Sequence, residues 1–189
     1  MKYGLGSVIA GRTLPSAGTY FIRVEEHNTD NVINPYKLFV SITTTAPASE
    51  GAGGNNSAAV AVPIGGATPV RSAQISPVGD VDFYSFSAVA GDQVFIAVDS
   101  DPERDNTETD VTVSLIAQDG TSVINTTATN SGTAAEGTNF RLITGGTYFV
   151  RIQGANAAAT TGTYHLMVQV GQAARYSTET TGDNNSSAT

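Results

Sequence analysis

The sequence predicts an all-β protein, an antiparallel β-sandwich of two sheets with a jelly-roll-like order of strands. Three observations lead to this prediction. Short runs of alternating apolar and polar residues recur along the 189 residues, glycine-containing turns separate them, and β-branched residues supply much of the 40% apolar content. Periodicities typical of helices are scarce. A sandwich of short strands is the fold that fits this pattern.

The alternating runs place the strands and the turns between them. We predict strands at 58–62, 70–75, 81–89, 93–98, 110–117, 121–126, 138–143, 146–153 and 162–170. Asp119-Gly120 predicts a hairpin turn, because both residues tolerate positive φ.

An internal repeat is visible in the sequence. Gly18–Val24 (GTYFIRV) returns as Gly146–Ile152 (GTYFVRI), and Tyr36–Ile42 returns as Tyr164–Val170, both 128 residues further on. The apolar residues of both pairs keep the alternation that a half-buried strand requires. We therefore predict tandem β-sandwich repeats of about 128 residues.

The repeat divides the chain into four parts. Residues 1–44 are predicted to be the C-terminal strands of one repeat, 45–54 a linker, 55–172 a complete sandwich, and 173–189 a linker and the start of the next repeat's first strand. The incomplete parts would leave apolar faces and strand edges uncovered. We therefore expect neighbouring units to complete each other's sandwiches by donating strands.

Composition excludes several classes of function. The chain has no cysteine, so disulfides and thiolate chemistry are excluded. A net charge of −8 with nine scattered Lys and Arg residues argues against nucleic acid. No apolar run is long enough to cross a membrane. With His27 and His165 the only histidines and no nucleophile or phosphate-binding motif, we predict that the chain is not an enzyme.

Five ordered segments resemble the bacterial pre-peptidase C-terminal domain family. They are Asn55-Asn56-Ser57, Gly79–Phe86 (GDVDFYSF), Ala90–Val94, Asp110–Leu115 with Asp119-Gly120, and Gly146–Ile152 with Gly162–Leu166. The resemblance covers residues 50–172. It implies a β-sandwich that serves as an accessory or structural module of a secreted protein, located outside the cell or at its surface.

The loop from Asp99 to Asp110 carries six carboxylates in twelve residues. Calcium prefers several hard oxygen ligands from a flexible loop. Asp99, Asp101, Asp105 and Asp110 are therefore candidate calcium ligands. The alternative is a solvated loop that is stabilised by pairing with Arg104.

The resemblance implies a second calcium site, between the linker and the Asp-x-Asp strand. Its candidate ligands are Glu50, Asn55, Asp80 and Asp82. The alternative is that Asn55 and Asp82 make turn and strand-end hydrogen bonds.

Four sequons are candidate glycosylation sites. They begin at Asn55, Asn125, Asn184 and Asn185. Such triplets also arise by chance in a sequence rich in Asn, Thr and Ser.

These observations predict a structural repeat module of an extracellular filament, stalk or surface fibre, with copies of itself as partners and with glycans as a further candidate partner. The alternative is an accessory module that attaches a secreted hydrolase or adhesin to matrix or polysaccharide. Exposed aromatic residues would favour the alternative.

Overall fold

A computed structural model describes residues 9–25, 38–44, 46–51, 54–128 and 135–171. These ranges contain ten strands and one 3₁₀ turn, Ala58–Val60. The strands are β1 (Ala48–Ser49), β2 (Val62–Pro63), β3 (Val70–Ile75), β4 (Val81–Ala88), β5 (Gln93–Asp99), β6 (Val111–Ile116), β7 (Val123–Ala128), β8 (Ala135–Arg141), β9 (Gly146–Gly154) and β10 (Gly162–Gly171). In the part of the chain that is described, no helix is long and apolar enough to span a membrane.

The strands form two five-stranded sheets. Sheet A has the order β1-β3-β10-β5-β8, and sheet B has the order β2-β4-β9-β6-β7. All pairs are antiparallel except β1 with β3 and β2 with β4, where two-residue edge strands pair in parallel. The prediction of an all-β, two-sheet fold is confirmed, and these two short parallel pairs are the departure from a purely antiparallel sandwich.

Seven of the predicted strands match observed strands to within a few residues. The departure is at 58–62, where a 3₁₀ turn leads into the two-residue strand β2. Pro63 cannot donate a ladder hydrogen bond, so only a short edge pairing is available there. The end of β8 also differs from the prediction, because the strand ends at Arg141. Leu142 follows it and bonds to the turn before β5: its N–H donates to Asp92 O (2.8 Å), and its carbonyl accepts from Gly91 N–H (2.8 Å).

The core lies between the sheets and is filled by alternate residues of their central strands. β9 contributes Tyr148, Val150 and Ile152, and β10 contributes Tyr164, Leu166 and Val168, all of them buried. Burial of one such aliphatic side chain contributes about 2 kcal/mol.

The predicted Asp119-Gly120 turn joins β6 to β7. Gly120 has φ +73°, and Asp119 Oδ1 accepts from the backbone N–H groups of Thr121 (2.8 Å) and Ser122 (2.7 Å). Hydrogen bonds from Ser122 and Thr121 stabilise the carboxylate and lower the pKa of Asp119 to about 2. The turn chemistry read from the sequence is therefore the chemistry that closes this hairpin.

The described residues of the first copy, 18–24 and 38–42, are not part of either sheet. Residues 18–24 and 38–42 have no regular strand structure. One local feature is nevertheless shared by the two copies. Tyr20 Oη donates to Ser16 O (2.6 Å), and its counterpart Tyr148 donates to Thr144 O (2.7 Å). The tandem arrangement itself stays a prediction.

Candidate functional site

A buried chain of polar side chains crosses the core at one end of the sandwich. It joins Glu50, which follows β1, to Tyr84 and Asp82 on β4 and to Tyr164 on β10. Glu50 Oε2 lies 3.1 Å from Tyr84 Oη, the two tyrosine hydroxyls are 2.8 Å apart, and Tyr164 Oη lies 2.6 Å from Asp82 Oδ2. We call this the acid–tyrosine chain. It connects sheet A to sheet B through hydrogen bonds rather than through apolar contacts alone.

The acid–tyrosine chain requires a proton that its two phenols do not supply. Each of its three oxygen–oxygen contacts needs one hydrogen, and the two tyrosine hydroxyls provide two. The third must come from a carboxyl group. A protonated Asp82 can donate to Tyr164, which then donates to Tyr84, which donates to Glu50.

The electrostatics of the site agree with this proton count. Burial, together with the negative charges of Glu50 and Asp80, raises the pKa of Asp82 to about 7, although the hydrogen bond with Tyr164 acts in the opposite direction. Burial also raises the pKa of both tyrosines above the ordinary value, so both stay neutral. Asp82 is 1% exposed, which explains why burial is the largest cause.

The four residues of the second predicted calcium site lie near one another but already have protein partners. Glu50 Oε1 accepts from Gln74 N–H (3.0 Å), and Asp80 accepts from the N–H groups of Ser76 and Val81 (3.0 Å each). Asn55 is buried, and its backbone carbonyl accepts from Phe83 N–H (2.8 Å).

Within residues 9–25, 38–44, 46–51, 54–128 and 135–171, no three acidic or histidine side chains are arranged to hold a metal ion. Calcium at either acidic site therefore stays a prediction.

The acidic loop is organised around Arg104. Its guanidinium makes a bidentate pair with Asp99, with both N–O distances 2.7 Å, and also donates to Asp101 O. The Asp99 carboxylate is buried, so Arg104 supplies the positive charge that a calcium ion would otherwise bring. Pairing with Arg104, which the sequence left open as the alternative, is thus present in the structure.

The other acidic residues of the loop serve as turn acceptors. Asp101 accepts from Asp105 N–H (3.1 Å) and Asn106 N–H (3.3 Å), and Asp105 accepts from Thr107 N–H (2.8 Å). Asp110 contributes its backbone carbonyl to Ala155 N–H (2.9 Å). Nothing brings the four predicted ligands to one point.

Two of the predicted glycosylation sites can be placed. Asn55 is buried, and Asn125 on β7 donates to Thr138 Oγ1 (2.7 Å), so a glycan on either would have to displace protein contacts. Asn184 and Asn185 lie outside the described residues. Glycosylation stays a prediction at all four.

Sequence reasoning identified both acids of the acid–tyrosine chain but missed the two tyrosines. A signal was present, because Asp82 and Tyr84 are two residues apart on one strand and therefore share a face. Tyr164 is 80 residues further along the chain, and only the pairing of β10 into the opposite sheet brings it to Tyr84.

Part of the chain is similar to a known family of protein domains. Residues 80–154 match the model of the bacterial pre-peptidase C-terminal domain. Domains of this kind are non-catalytic accessory domains, often found in secreted proteases. No curated protein matches the chain.

Three solved structures are similar at low identity. The pre-peptidase C-terminal domain of a Bacillus anthracis collagenase is 14% identical, with 67% of this chain and 100% of that chain covered and a TM-score of 0.43. The Aeromonas hydrophila periplasmic inhibitor of g-type lysozyme is 17% identical, with coverage of 58% and 96% and a TM-score of 0.37. The Salmonella Typhimurium inhibitor is 14% identical, with coverage of 58% and 97% and a TM-score of 0.39.

The structural likenesses are weak, so the assignment depends on the matched sequence and on the sandwich that contains it. The matched residues run from the Asp-x-Asp segment at the start of β4 to the end of β9. Residues 80–154, which run from β4 to β9 of the sandwich, therefore match the bacterial pre-peptidase C-terminal domain in sequence.

Proposed function

We propose that this chain is a repeat module of an extracellular structural array, in which the segments 18–24 and 36–42 become strands that complete the sandwich of a preceding repeat. The array would form a filament, stalk or surface fibre, with copies of the module as partners. The accessory character of the family and its occurrence in secreted proteins support the extracellular location.

One observation carries the proposal. Apolar residues of the first copy are exposed, whereas their counterparts 128 residues later are fully buried. Ile22 is 55% exposed and Val150 0%, and Leu38 is 53% exposed and Leu166 0%. The same contrast holds for Val24 against Ile152 and for Val40 against Val168.

This difference in exposure between the two copies is larger than the ordinary occurrence of apolar residues on a protein surface explains. Single exposed apolar residues are normal, but exposed residues in the alternation of a core strand indicate a face without its partner. The shared hydrogen bond from Tyr20 to Ser16 and from Tyr148 to Thr144 supports the same reading.

The proposal predicts that a completed first repeat will fold. Residues 45–128 placed ahead of residue 1 supply, in repeat register, the strands that 18–24 and 36–42 lack. We expect the backbone amides of Ile22 and Leu38 to be protected from hydrogen exchange in this fusion and to exchange rapidly in the 189-residue chain.

Ile22→Asp provides the matched control. In the fusion it would bury an unpaired charge and abolish protection of the first repeat, whereas in the 189-residue chain we expect a change within about 0.5 kcal/mol. Rapid exchange at both amides in the unmutated fusion would eliminate the array.

The alternative function is attachment of a secreted hydrolase or adhesin to matrix or polysaccharide. Phe21, which is 68% exposed, is the residue that favours it. The array is preferred because the exposed residues follow the register of the buried strands rather than forming an aromatic surface of their own.

Calcium binding at Glu50, Asn55, Asp80 and Asp82 is proposed as an accessory property of the module. The support is that Glu50 and Asp80 lie close enough to Asp82 for their negative charges to add to the effect of burial on its pKa, and a cation bound among the three carboxylates would offset those charges. We expect calcium to raise the melting midpoint relative to chelator, by an amount equivalent to about 3 kcal/mol at a hundredfold excess over Kd.

Glu50→Gln is the matched variant for the calcium experiment, because it keeps the size of the side chain and removes one charged ligand. We expect it to weaken the response to calcium. A midpoint of the unmutated protein that is the same with calcium and with chelator would remove both predicted sites.

A further inference from the structure

Strand β5 is buried on both faces, although one of them points away from the core. Val94, Ile96 and Val98 face the core and are fully buried. Ala97 and Asp99 lie on the opposite face, yet they are only 1% and 2% exposed. Something other than sheet B must cover this outer face of sheet A.

One covering contact comes from residues 10–11. Arg104 Nη2 donates to Gly11 O (2.6 Å) while its guanidinium pairs with Asp99. Gly11 has φ +63°, and a Cβ there would overlap the Asp99 carboxylate. Only glycine permits the backbone at position 11 to approach the Asp99 carboxylate this closely. The counterpart of Gly11 in the second repeat is not a glycine but Asn139.

The second covering contact is aromatic. The rings of Phe39 and Phe95 are stacked with a centroid distance of 5.3 Å and an interplanar angle of 6°. The counterpart of Phe39 is Met167, which lies on β10 between the core residues Leu166 and Val168. Met167 therefore faces away from the core, and Phe39 occupies the same outward position in the first copy.

Residues 38–42 show two different faces. Leu38, Val40 and Ile42 are exposed, whereas Phe39 and Ser41 are half-buried against the sandwich. Ser41 lines a cleft together with Pro69, Val168 and Gln169. One face is thus already occupied, and the other is the face that would enter the core of a preceding repeat.

We infer that the outer face of sheet A around Phe95, together with Arg104, is the surface on which the preceding repeat packs. The inference rests on the proposed array and adds the contact that fixes one unit against the next. Consecutive repeats would then contact each other through a defined interface instead of being connected by the linker alone. Gly11, Phe39 and Ser41 would supply the preceding unit's side of that interface.

A double-mutant cycle tests the interface in the 189-residue chain and in the fusion described above. Phe39→Ala, Phe95→Ala and the double variant are compared by denaturant unfolding of the repeat that contains β5. We expect coupling between Phe39 and Phe95 of about two- to tenfold in the unfolding equilibrium constant in both proteins. Phe21→Ala replaces Phe39→Ala in the control cycle, where we expect no coupling to Phe95.

The outcomes separate this inference from the proposed function. Protected amides at Ile22 and Leu38 together with coupling in the fusion support both. Protected amides without coupling leave the array and overturn the interface. Coupling with unprotected amides shows a contact that does not join repeats, and it overturns the inference along with the array.

Discussion

The free energy of unfolding is expected to fall as the pH rises from about 4 to about 7, because Asp82 must lose its proton in the folded protein. Its pKa is 3.8 in an unfolded chain and about 7 in the sandwich. Between these values the folded state binds more protons than the unfolded state, so a rise in pH favours unfolding. This stabilisation is complete below about pH 4 and lost as the pH passes 7.

The shift in the pKa of Asp82 sets an upper limit of roughly 4 kcal/mol on this effect. Denaturant unfolding at several pH values, in the presence of chelator, measures it. Asp82→Asn is the matched control, because an amide is neutral throughout and can still donate a hydrogen bond to Tyr164. We expect the decline between pH 4 and 7 to be much smaller in this variant. Equal pH profiles for both proteins would contradict a shared proton in the acid–tyrosine chain.

Replacement of Arg104 by alanine is expected to destabilise the sandwich by about 3 kcal/mol. Asp99 is buried, and Arg104 is its ion-pair partner, so the variant leaves a buried carboxylate uncompensated.

The double variant Asp99→Asn with Arg104→Ala separates loss of the ion pair from loss of packing. Without the buried charge, we expect it to recover a large part of the lost stability. Chemical denaturation of the single and double variants measures both effects. An Arg104→Ala variant as stable as the unmutated protein would mean that Asp99 tolerates burial without a partner.

The sequence was sufficient for the sandwich because period-two patterns and turn residues are local signals. Asp119-Gly120 predicts its hairpin without any knowledge of the rest of the chain, and the alternation in β9 and β10 predicts which side chains fill the core. The parallel pairing of β1 with β3 and of β2 with β4 was not predictable. Strands of two residues are too short to show a periodic pattern, so the sequence does not indicate which strand each of them pairs with.

The candidate site was predictable only in part, because its members come from distant parts of the chain. Asp82 and Glu50 were identified as acids that act together, but as ligands of a metal ion. That they share hydrogen bonds with Tyr84 and Tyr164 depends on two strands meeting across the core. Likewise, six carboxylates between 99 and 110 suggested a cation site, and only the coordinates show that Arg104 lies against Asp99.

The topology has a consequence for biosynthesis. β9 lies between β4 and β6, and β10 lies between β3 and β5, so the last strands along the chain are central in both sheets. Val70 pairs with Met167, which the ribosome adds almost a hundred residues later. Sheet B lacks its central strand until β9 has been synthesised, and sheet A lacks its central strand until β10 has been synthesised. Such distant pairings fold slowly. The nascent chain therefore cannot form its complete core until most of it has been synthesised.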